Sequence, residues 1–468
     1  MTSKKHLTIH AHFYQPSRED PQSGAIPDEE GARPYKNWNE RIFSDCYLPN
    51  IELGNFSKLS FNIGPTLVRW FENQHPEALA KIVEADRQNL KRFGVGNAMA
   101  QAFHHTILPL MNRRDKQTQI RWGIADFQRV FKRKPQGLWL PESAVDMETL
   151  EVLAENGIEF TILAPWQAEA GDLDPRKAYQ VILPNHNSIK VFFYHSGLSS
   201  RISFDPFVTQ NADEFIHQFV KPEYSTVDEN QWLLLASDGE LYGHHQSFRD
   251  KFLSYLLNGS AAIQNVEFSF PALQLQTQSS FPLMKIKNET SWSCHHGIQR
   301  WRGVCDCTPH SEWKKHLREG LERIKVEIDK DFEETCAASG IDPWTARDHY
   351  WQVFCEGQRF ENWIRSQAKS TISGDLKVLE QVFLAELEAQ RMFASCGWFF
   401  EDLNRIEPKN NLNHAAYAVW LIRSALGKDI AISAMPSFER CQSWQVQLNA
   451  ADLFRGMLAR YQGDRGQG

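Results

Sequence analysis

The feature that most constrains this chain is a series of short apolar, β-rich runs that alternate with helical segments up to about residue 290. The predicted strands cover residues 7–12, 58–63, 136–140, 159–163, 190–194 and 232–236. The predicted helices among them cover residues 76–93, 113–131, 147–156 and 248–257. Continuously apolar strands that alternate with helices form a parallel sheet that is covered on both faces. At least six such units favour a barrel over an open doubly wound sheet.

The character of the sequence changes near residue 309, where long charged segments with helical spacing begin. Predicted helices there cover residues 312–338, 346–366, 376–396 and 437–461. A chain of 468 residues is also too long for one ordinary domain. We therefore expect an α/β protein, with a βα barrel over residues 1–308 and a helical C-terminal domain over residues 309–468.

Composition and charge exclude several kinds of partner. The chain has 51 Lys+Arg against 58 Asp+Glu and no basic tail, which argues against nucleic-acid binding. It has neither the apolar core of a signal peptide nor an apolar run long enough to span a membrane. Its eight cysteines are thinly spread, which suits reduced thiols better than a disulfide framework. We expect a cytoplasmic protein, and the oligomeric state stays open.

Polar and aromatic residues cluster where predicted strands end, which is where a parallel βα barrel places its active site. Those that follow or end a strand are His10, His12, Gln15, Trp139, Glu142, Asp238, Glu240, Tyr242 and His244. His105 lies in a further stretch of this kind, ahead of an apolar run. These segments supply carboxylates, imidazoles and aromatic rings to one rim.

Two of these carboxylates suggest acid–base chemistry. Glu142 follows an apolar strand and a proline, although it also fits a solvent-exposed loop acid. Asp238 and Glu240 are two residues apart and share a face in an extended segment, although Asp238 also fits an ordinary turn or helix cap. A pair of carboxylates at separate strand ends fits glycoside hydrolysis, with one as nucleophile and the other as proton donor.

The His10–His12 pair leaves three interpretations open. Two histidines at i and i+2 on a strand share a face and could begin a metal site. They could instead bind sugar hydroxyls, or be hydrogen-bonded core histidines. No further clear ligand set, such as an HExxH motif, accompanies them, and we expect no metal.

The segment between Trp292 and Cys307 is unusual, because Cys294, His295, His296, Cys305 and Cys307 fall within fourteen residues. These side chains could form a structural zinc site, but the spacing lacks the usual CxxC pair, and we expect no zinc. A second interpretation is a loop that closes over the site, with Trp292, His296 and Trp301 binding substrate. Tryptophan faces suit this role because sugar rings present C–H groups on one side. The third interpretation of this segment is a packed linker between two domains.

Four ordered motifs resemble glycoside hydrolase family 57: HAHFYQP, AFHHTILPL, GLWLPES and ASDGELYGHH. Each would be weak alone, but their order and spacing are specific, and they cover the N-terminal half of the chain. The opening segments HFYQP, REDP and NWNERI, together with TSWSCHHGIQRWRG and ASCGWFFED, further resemble a subgroup of α-amylase/α-mannosidase-like proteins of undefined substrate. The resemblance then extends over nearly the whole length.

The resemblance implies an incomplete seven-stranded βα barrel and retaining chemistry on α-glucans without a metal or other cofactor. It implies Glu142 as the nucleophile and Asp238 as the general acid/base. His12 and His105 match positions that line the subsite where the bond breaks, and Trp139 and Glu240 flank the two carboxylates. The last family motif has no clear counterpart, and the candidates to replace it are His296 and Trp301.

We therefore expect a retaining hydrolase of the amylase or debranching type whose partner is an α-glucan or oligosaccharide. The first alternative is an α-glucanotransferase or branching enzyme that uses the same residues. A metal-dependent mannosidase or deacetylase is more distant, and bound zinc with loss of activity in chelator would identify it. A non-catalytic glucan-binding protein is the alternative from a different class.

Overall fold

The structure, a computed structural model, describes residues 4–169, 171, 173–224, 230–368 and 371–463. The chain divides into two compact units that interleave along the sequence. The first comprises Met1–Gln15, Asp28–Ala102 and Phe127–Trp292, and the second comprises Pro16–Pro27, Phe103–Asp126 and Ser293–Gly468. The predicted domain boundary between residues 308 and 309 stays a prediction.

The first unit contains the strands. They are β1 (Lys4–Phe13), β2 (Ser60–Ile63), β3 (Ala98–Gln101), β4 (Leu138–Trp139), β5 (Phe160–Leu163), β6 (Ala178–Ile182), β7 (Ser188–Phe193), β8 (Asn230–Asp238) and β9 (Val266–Phe268). All six strands predicted from the sequence are confirmed. Strands β3, β6 and β9 were not predicted.

The strands form two sheets. The larger has six strands in the order β4-β3-β2-β1-β8, with β9 also paired to β1, and every pairing in it is parallel. The smaller has the order β5-β7-β6, in which β5 and β7 are parallel and β6 is antiparallel to β7. An α/β architecture with a parallel sheet is therefore confirmed, but as two assigned sheets rather than one seven-stranded barrel.

Strand β1 is buried on both faces between Leu7 and Ala11, although its sequence alternates apolar and polar residues. Leu7, Ile9 and Ala11 point to one side and are fully buried. Thr8 and His10 point to the other side and are equally inaccessible. The polar residues of this second face continue to the carboxyl end of the strand, where the candidate site lies.

Helices follow most strands of the first unit. They are Trp38–Ile42, Leu48–Glu52, Pro65–Gln74, Pro76–Phe93, Met147–Glu155, Ser196–Phe204, Ala212–Glu214, Arg249–Tyr255, Ala261–Ile263 and Pro271–Thr277. Helix Pro76–Phe93 matches its predicted bounds, because a proline starts it and Gly94, in the left-handed region at φ 76°, ends it. Helix Arg113–Phe131 also has its predicted bounds, and the division between the two units falls within it.

The second unit is helical, as predicted. Its helices after residue 293 are Gln299–Arg302, Glu312–Ala338, Pro343–His349, Trp351–Phe354, Phe360–Gln367, Leu376–Arg391, Cys396–Phe399, Ile406–Leu426, Met435–Arg440 and Ala450–Gly463. Helix Glu312–Ala338 buries Leu317, Leu321 and Ile324 along one stripe, at the spacing expected of an amphipathic helix. Among the residues described, no helix is long and apolar enough to cross a membrane.

Two predicted C-terminal helices are wrong as single elements. The segment 346–366 is divided into three helices, and Gly357, in the left-handed region at φ 72°, lies in the break before the last of them. The segment 437–461 is interrupted between Met435–Arg440 and Ala450–Gly463, where Gln442 and Asn449 pair as an isolated antiparallel bridge.

Candidate active site

The register of the large sheet brings polar residues of three strands together at its carboxyl edge. His12 on β1 lies opposite Asn62 on β2 on one side and opposite Asp238 on β8 on the other. Parallel strands end at a common edge, so the residues that follow them face one region. The strand ends predicted from the sequence to carry the site are therefore neighbours.

Glu142 follows β4 in a single turn of 3₁₀-helix and adopts a left-handed backbone conformation, with φ 55° and ψ 20°. A glutamate in this region carries backbone strain that its surroundings must offset. Trp292 supplies two of the contacts. Its backbone N–H donates to the Glu142 carbonyl oxygen at 3.0 Å, and its indole Nε1–H donates to the Glu142 carboxylate Oε2 at 3.2 Å. These contacts orient the carboxyl group of Glu142.

Asp238 ends β8, and its side chain is exposed, so a ligand can reach it. The protein that surrounds the carboxyl, together with the charges of Glu240 and Glu142, raises the pKa of Asp238 to about 8. Asp238 therefore favours its protonated form near neutral pH.

Glu240 is buried two residues further on and has dedicated hydrogen-bond donors. The Tyr47 hydroxyl donates to Glu240 Oε1 at 2.6 Å, and the Tyr14 backbone N–H donates to the same oxygen at 3.1 Å. A hydrogen bond from the Gln15 side chain adds to these. Burial nevertheless outweighs these bonds and raises the pKa of Glu240 to about 7.

His10 and His12 lie on the inward face of β1 and stack on the Trp139 ring, with centroid separations of 4.7 Å and 5.2 Å. The ring of His10 is hydrogen-bonded to Ser60 Oγ at 2.9 Å and Asn62 Oδ1 at 3.2 Å, and the side chain is fully buried. The ring of His12 accepts from Asn62 Nδ2 at 2.9 Å. His10 is thus a hydrogen-bonded core histidine.

Burial lowers the pKa of both histidines to about 3, and each is neutral at physiological pH. Among the residues that the structure describes, neither belongs to a cluster of three or more metal-ligating side chains. A neutral imidazole at the position of His12 can exchange hydrogen bonds with a hydroxyl group without adding charge beside the carboxylates.

Aromatic rings line the same region of the first unit. Trp139 is fully buried and meets Trp292 edge to face at 5.0 Å. Tyr242 is also buried, and its hydroxyl is hydrogen-bonded to Ser237 Oγ at 3.1 Å. His244 Nδ1 contacts Asp45 Oδ2 at 3.1 Å. Among the aromatic candidates, Trp292 donates a hydrogen bond directly to the carboxyl group of Glu142.

Three predicted site residues belong to the second unit. His105 is buried, with φ 55°, and its Nδ1 is 2.7 Å from Ser395 Oγ. Trp301 is fully buried, so its faces are covered by protein. His296 lies beside the cysteines of its own segment, with Nδ1 3.3 Å from Cys307 Sγ. The substrate contacts predicted for these residues stay predictions.

Several residues that support the predicted ones were not predicted from the sequence. Ser60 and Asn62 are polar residues on one face of an otherwise apolar strand, and that pattern could have identified them. Gln101 accepts from Asn62 Nδ2 at 2.6 Å and extends the same network. No comparable sequence pattern marks Tyr47, because it lies in a helical segment that is far in sequence from the end of any strand.

Fold and site together define an α/β protein with two carboxylates and several aromatic rings at the carboxyl edge of a parallel sheet. Residues 8–281 match the sequence model of glycosyl hydrolase family 57, which is more than half of the chain. The chain belongs to glycosyl hydrolase family 57. Residues 310–460 match a second model, a domain of unknown function named DUF3536.

Two relatives are distant in sequence. The chain is 25% identical over 210 residues to α-amylase 1 of Dictyoglomus thermophilum, and the match covers 44% of this chain and 29% of that protein. It is 24% identical over 210 residues to the 4-α-glucanotransferase of Thermococcus litoralis, covering 44% of this chain and 30% of that protein. The chain therefore spans under a third of the length of either relative.

Solved structures are similar over nearly the whole chain. An exo-type maltose-forming amylase from Pyrococcus sp. ST04 has a TM-score of 0.74 at 14% identity, covering 97% of this chain and 88% of that one. A GH57-type branching enzyme from Pyrococcus horikoshii has a TM-score of 0.62 at 16% identity, covering 98% and 94%. At these identities the similarity establishes the fold alone.

Proposed function

We propose that this chain is a retaining glycoside hydrolase that acts on α-glucans, of the amylase or debranching type. The observation that carries the proposal is the contrast between its two carboxyl groups. Asp238 favours the protonated form, whereas Glu142 accepts a hydrogen bond from Trp292. A protonated carboxyl group and a second, oriented carboxyl group suit the proton donor and the nucleophile of a retaining glycosidase.

In the first step, the carboxylate of Glu142 attacks the anomeric carbon while Asp238 donates its proton to the glycosidic oxygen. The C–O bond to the leaving sugar breaks, and a covalent glycosyl ester forms on Glu142. In the second step, Asp238, now ionised, takes a proton from water, and the resulting hydroxyl group attacks the anomeric carbon. Glu142 leaves as a carboxylate, and two inversions give net retention.

The surrounding residues take positioning roles in this proposal. The indole N–H of Trp292 orients the attacking carboxylate of Glu142. Neutral His12 binds a sugar hydroxyl, and His10 supports it from the core through Trp139 and Asn62. The ionised form of Glu240 raises the pKa of Asp238, which helps to keep the proton donor protonated.

We also propose that the strands of both sheets form one incomplete barrel of seven parallel strands, in the order β8-β1-β2-β3-β4-β5-β7. Two contacts between the sheets support this arrangement. Gly137, next to β4, forms a parallel bridge with Phe160 of β5. The His195 backbone N–H, just after β7, donates to the Leu234 carbonyl of β8 at 2.6 Å.

The assignment of residues 1–308 as the catalytic domain and of residues 309–468 as a helical domain belongs to the same proposal. The ranges 8–281 and 310–460 of the two family matches support it. A cytoplasmic location is supported by the eight cysteines, all of which are free thiols.

A second candidate function is α-glucan transfer, which the similarity to a 4-α-glucanotransferase favours. The first step would be identical, and an acceptor sugar hydroxyl would replace water in the second. The outcome depends on how well the site excludes water.

The test is to incubate the purified protein with maltooligosaccharides, glycogen and pullulan and to measure product sizes. Only shorter products would support hydrolysis, and the preferred polymer would identify the bond cleaved. Products both longer and shorter than the starting sugar would establish transfer. The proposal fails if the protein cleaves no α-glucan and no aryl α-glycoside, and if wild type and Glu142→Gln bind glycans equally well. That result would identify a non-catalytic glucan-binding protein.

A further inference from the structure

Four metal-ligating side chains converge in the second unit, outside the carboxylate site. They are Cys294, His296, Cys305 and Cys307, which we call the Cys/His cluster, and their ligand atoms all lie within 4.8 Å of one another. Two of its members, Cys294 and Cys305, are buried, Cys307 is partly buried, and His296 is exposed. The chain therefore brings three thiols and one imidazole to a single point.

Four of the six separations among these ligand atoms are close to those of a tetrahedral zinc site. Bond lengths of about 2.3 Å to sulfur and about 2.05 Å to nitrogen place the ligand atoms of a tetrahedron about 3.8 Å apart for two sulfurs and about 3.6 Å for sulfur and nitrogen. The Cys294 sulfur lies 3.5 Å from that of Cys305 and 3.7 Å from that of Cys307. His296 Nδ1 lies 3.3 Å from the Cys307 sulfur and 3.5 Å from the Cys305 sulfur.

The same separations do not fit a disulfide, which needs a sulfur–sulfur distance of about 2.05 Å. All three cysteines are free thiols. Three thiols around one imidazole also cannot pair completely, because any disulfide among them leaves one cysteine over. A metal ion uses all four side chains at once.

A buried lysine nearby provides an independent observation. The Lys314 side chain is fully buried, and within the described part of the chain its Nζ has no hydrogen-bond partner. Burial and the charge of Arg300 lower the pKa of Lys314 to about 7, whereas ionised Cys305 and Cys294 favour its charged form. Zinc bound by three thiolates and a neutral imidazole carries a net charge of −1, which one ammonium group offsets.

We propose that the Cys/His cluster binds one structural zinc ion. Binding replaces three S–H bonds with Zn–S bonds and releases three protons to solvent, with no change of oxidation state. All four coordination positions are filled by the protein, as in structural rather than catalytic zinc sites. This reverses the expectation from sequence spacing, because the fold supplies the proximity that the missing CxxC pair would have given.

The proposed zinc closes the loop between Cys294 and Cys307 and fixes the chain two residues after Trp292. Its role is therefore to stabilise this segment and not to take part in bond cleavage. The zinc proposal and the glycosidase proposal can fail independently, since one concerns metal content and the other turnover.

The test is elemental analysis of the full-length protein, purified under reducing conditions without chelator. About one zinc per chain is expected, and Cys294→Ser and His296→Ala should each lose most of it. The matched controls, Cys355→Ser and His295→Ala, change the same residue types outside the cluster and should keep it. Glu142→Gln should also keep its zinc.

A second measurement keeps the test decisive if a cluster variant fails to fold. Wild-type protein stripped by chelator should lose several degrees of Tm and recover them with Zn²⁺. Replacement by Co²⁺ should give the visible absorption of tetrahedral thiolate coordination. Failure of the reduced, folded protein to bind either ion would overturn the proposal. Zinc that remains bound in both cluster variants would overturn this ligand assignment.

Discussion

The two units place acidic side chains in opposite electrostatic surroundings. In the first unit, Asp238 lies among protein groups and beside two other carboxylates, and its pKa rises to about 8. In the second, burial also acts to raise the pKa of Asp115, but the charges of Lys325 and Arg347 outweigh it and lower that pKa to about 2. Arg347 Nη1 lies 2.7 Å from Asp115 and 2.6 Å from Glu386.

The difference separates a reactive arrangement from a structural one. A buried acid with cations beside it is held ionised and has little tendency to exchange protons. An acid among like charges keeps its proton near neutral pH and can deliver it to a substrate. Under the proposed function, the same residue types therefore serve catalysis in one unit and packing in the other.

The largest effect is expected for Glu142→Gln, which removes the proposed nucleophile. The kcat on a maltooligosaccharide or polymer substrate should fall by at least about 10⁴-fold, because an amide cannot form the glycosyl ester. Thermal unfolding should be unchanged, since the substitution is nearly isosteric. The control is Glu52→Gln, at an exposed glutamate of the same unit, which should keep full activity. Native activity in Glu142→Gln would refute its role.

Asp238→Asn should reduce kcat on natural substrates by about 10²–10⁴-fold, the usual contribution of a general acid. The loss in the first step should be much smaller with aryl glycosides whose leaving group needs no proton. That dependence on the leaving group is the measurement, taken from initial rates across a substrate series. Asp28→Asn, at an exposed position, is the control. An equal loss on every leaving group would contradict the assignment.

Arg347→Met should affect stability rather than chemistry. It leaves Asp115 and Glu386 with less compensating charge, and removing one partner of such a buried ion pair costs about 3–5 kcal/mol of unfolding free energy. Denaturant titration measures this loss. Arg365→Met, which breaks an exposed i,i+4 pair with Glu361, should cost no more than about 1 kcal/mol. Similar losses in the two variants would remove the proposed structural role of the buried cluster.

The smallest effect is expected for Glu240→Gln, which removes a negative charge beside Asp238. Activity requires protonated Asp238, so kcat/KM should fall with rising pH above about 8, near the Asp238 pKa. Without Glu240 that pKa should drop, and the alkaline limb should move to lower pH by about half a unit to one unit. A pH–rate profile measures the shift. An unmoved or raised alkaline limb would show that Glu240 does not influence the proton donor.

Much of the fold follows from the sequence because its strands are apolar runs between helices. Strand β3 was missed because its sequence, AMAQ, consists mostly of residues that favour helices, and only its place in the sheet makes it a strand. The prediction of a single helix over residues 346–366 was wrong. The amphipathic pattern continues across Gly357, but the backbone turns there.

The identity of the proposed catalytic carboxylates could also be predicted from their positions, since each lies at or just after the end of an apolar strand. Their chemical environment could not be predicted from the sequence. The raised pKa of Asp238 depends on Glu142, which is distant in sequence, and the donors to Glu240 include Tyr47, from a helical insertion. The convergence of Cys294 with Cys305 and Cys307 depends on how the loop folds back, which spacing alone does not encode.

The most direct test of the central claim is to trap the glycosyl ester. The protein would be incubated with a fluorinated α-glucosyl fluoride, which slows the second step, and then digested and analysed by mass spectrometry. The account predicts one glycosyl group on the peptide that contains Glu142, and no label in Glu142→Gln. Label on a different carboxylate, or turnover of α-glucans with an inverted anomeric product and no trapped ester, would contradict it.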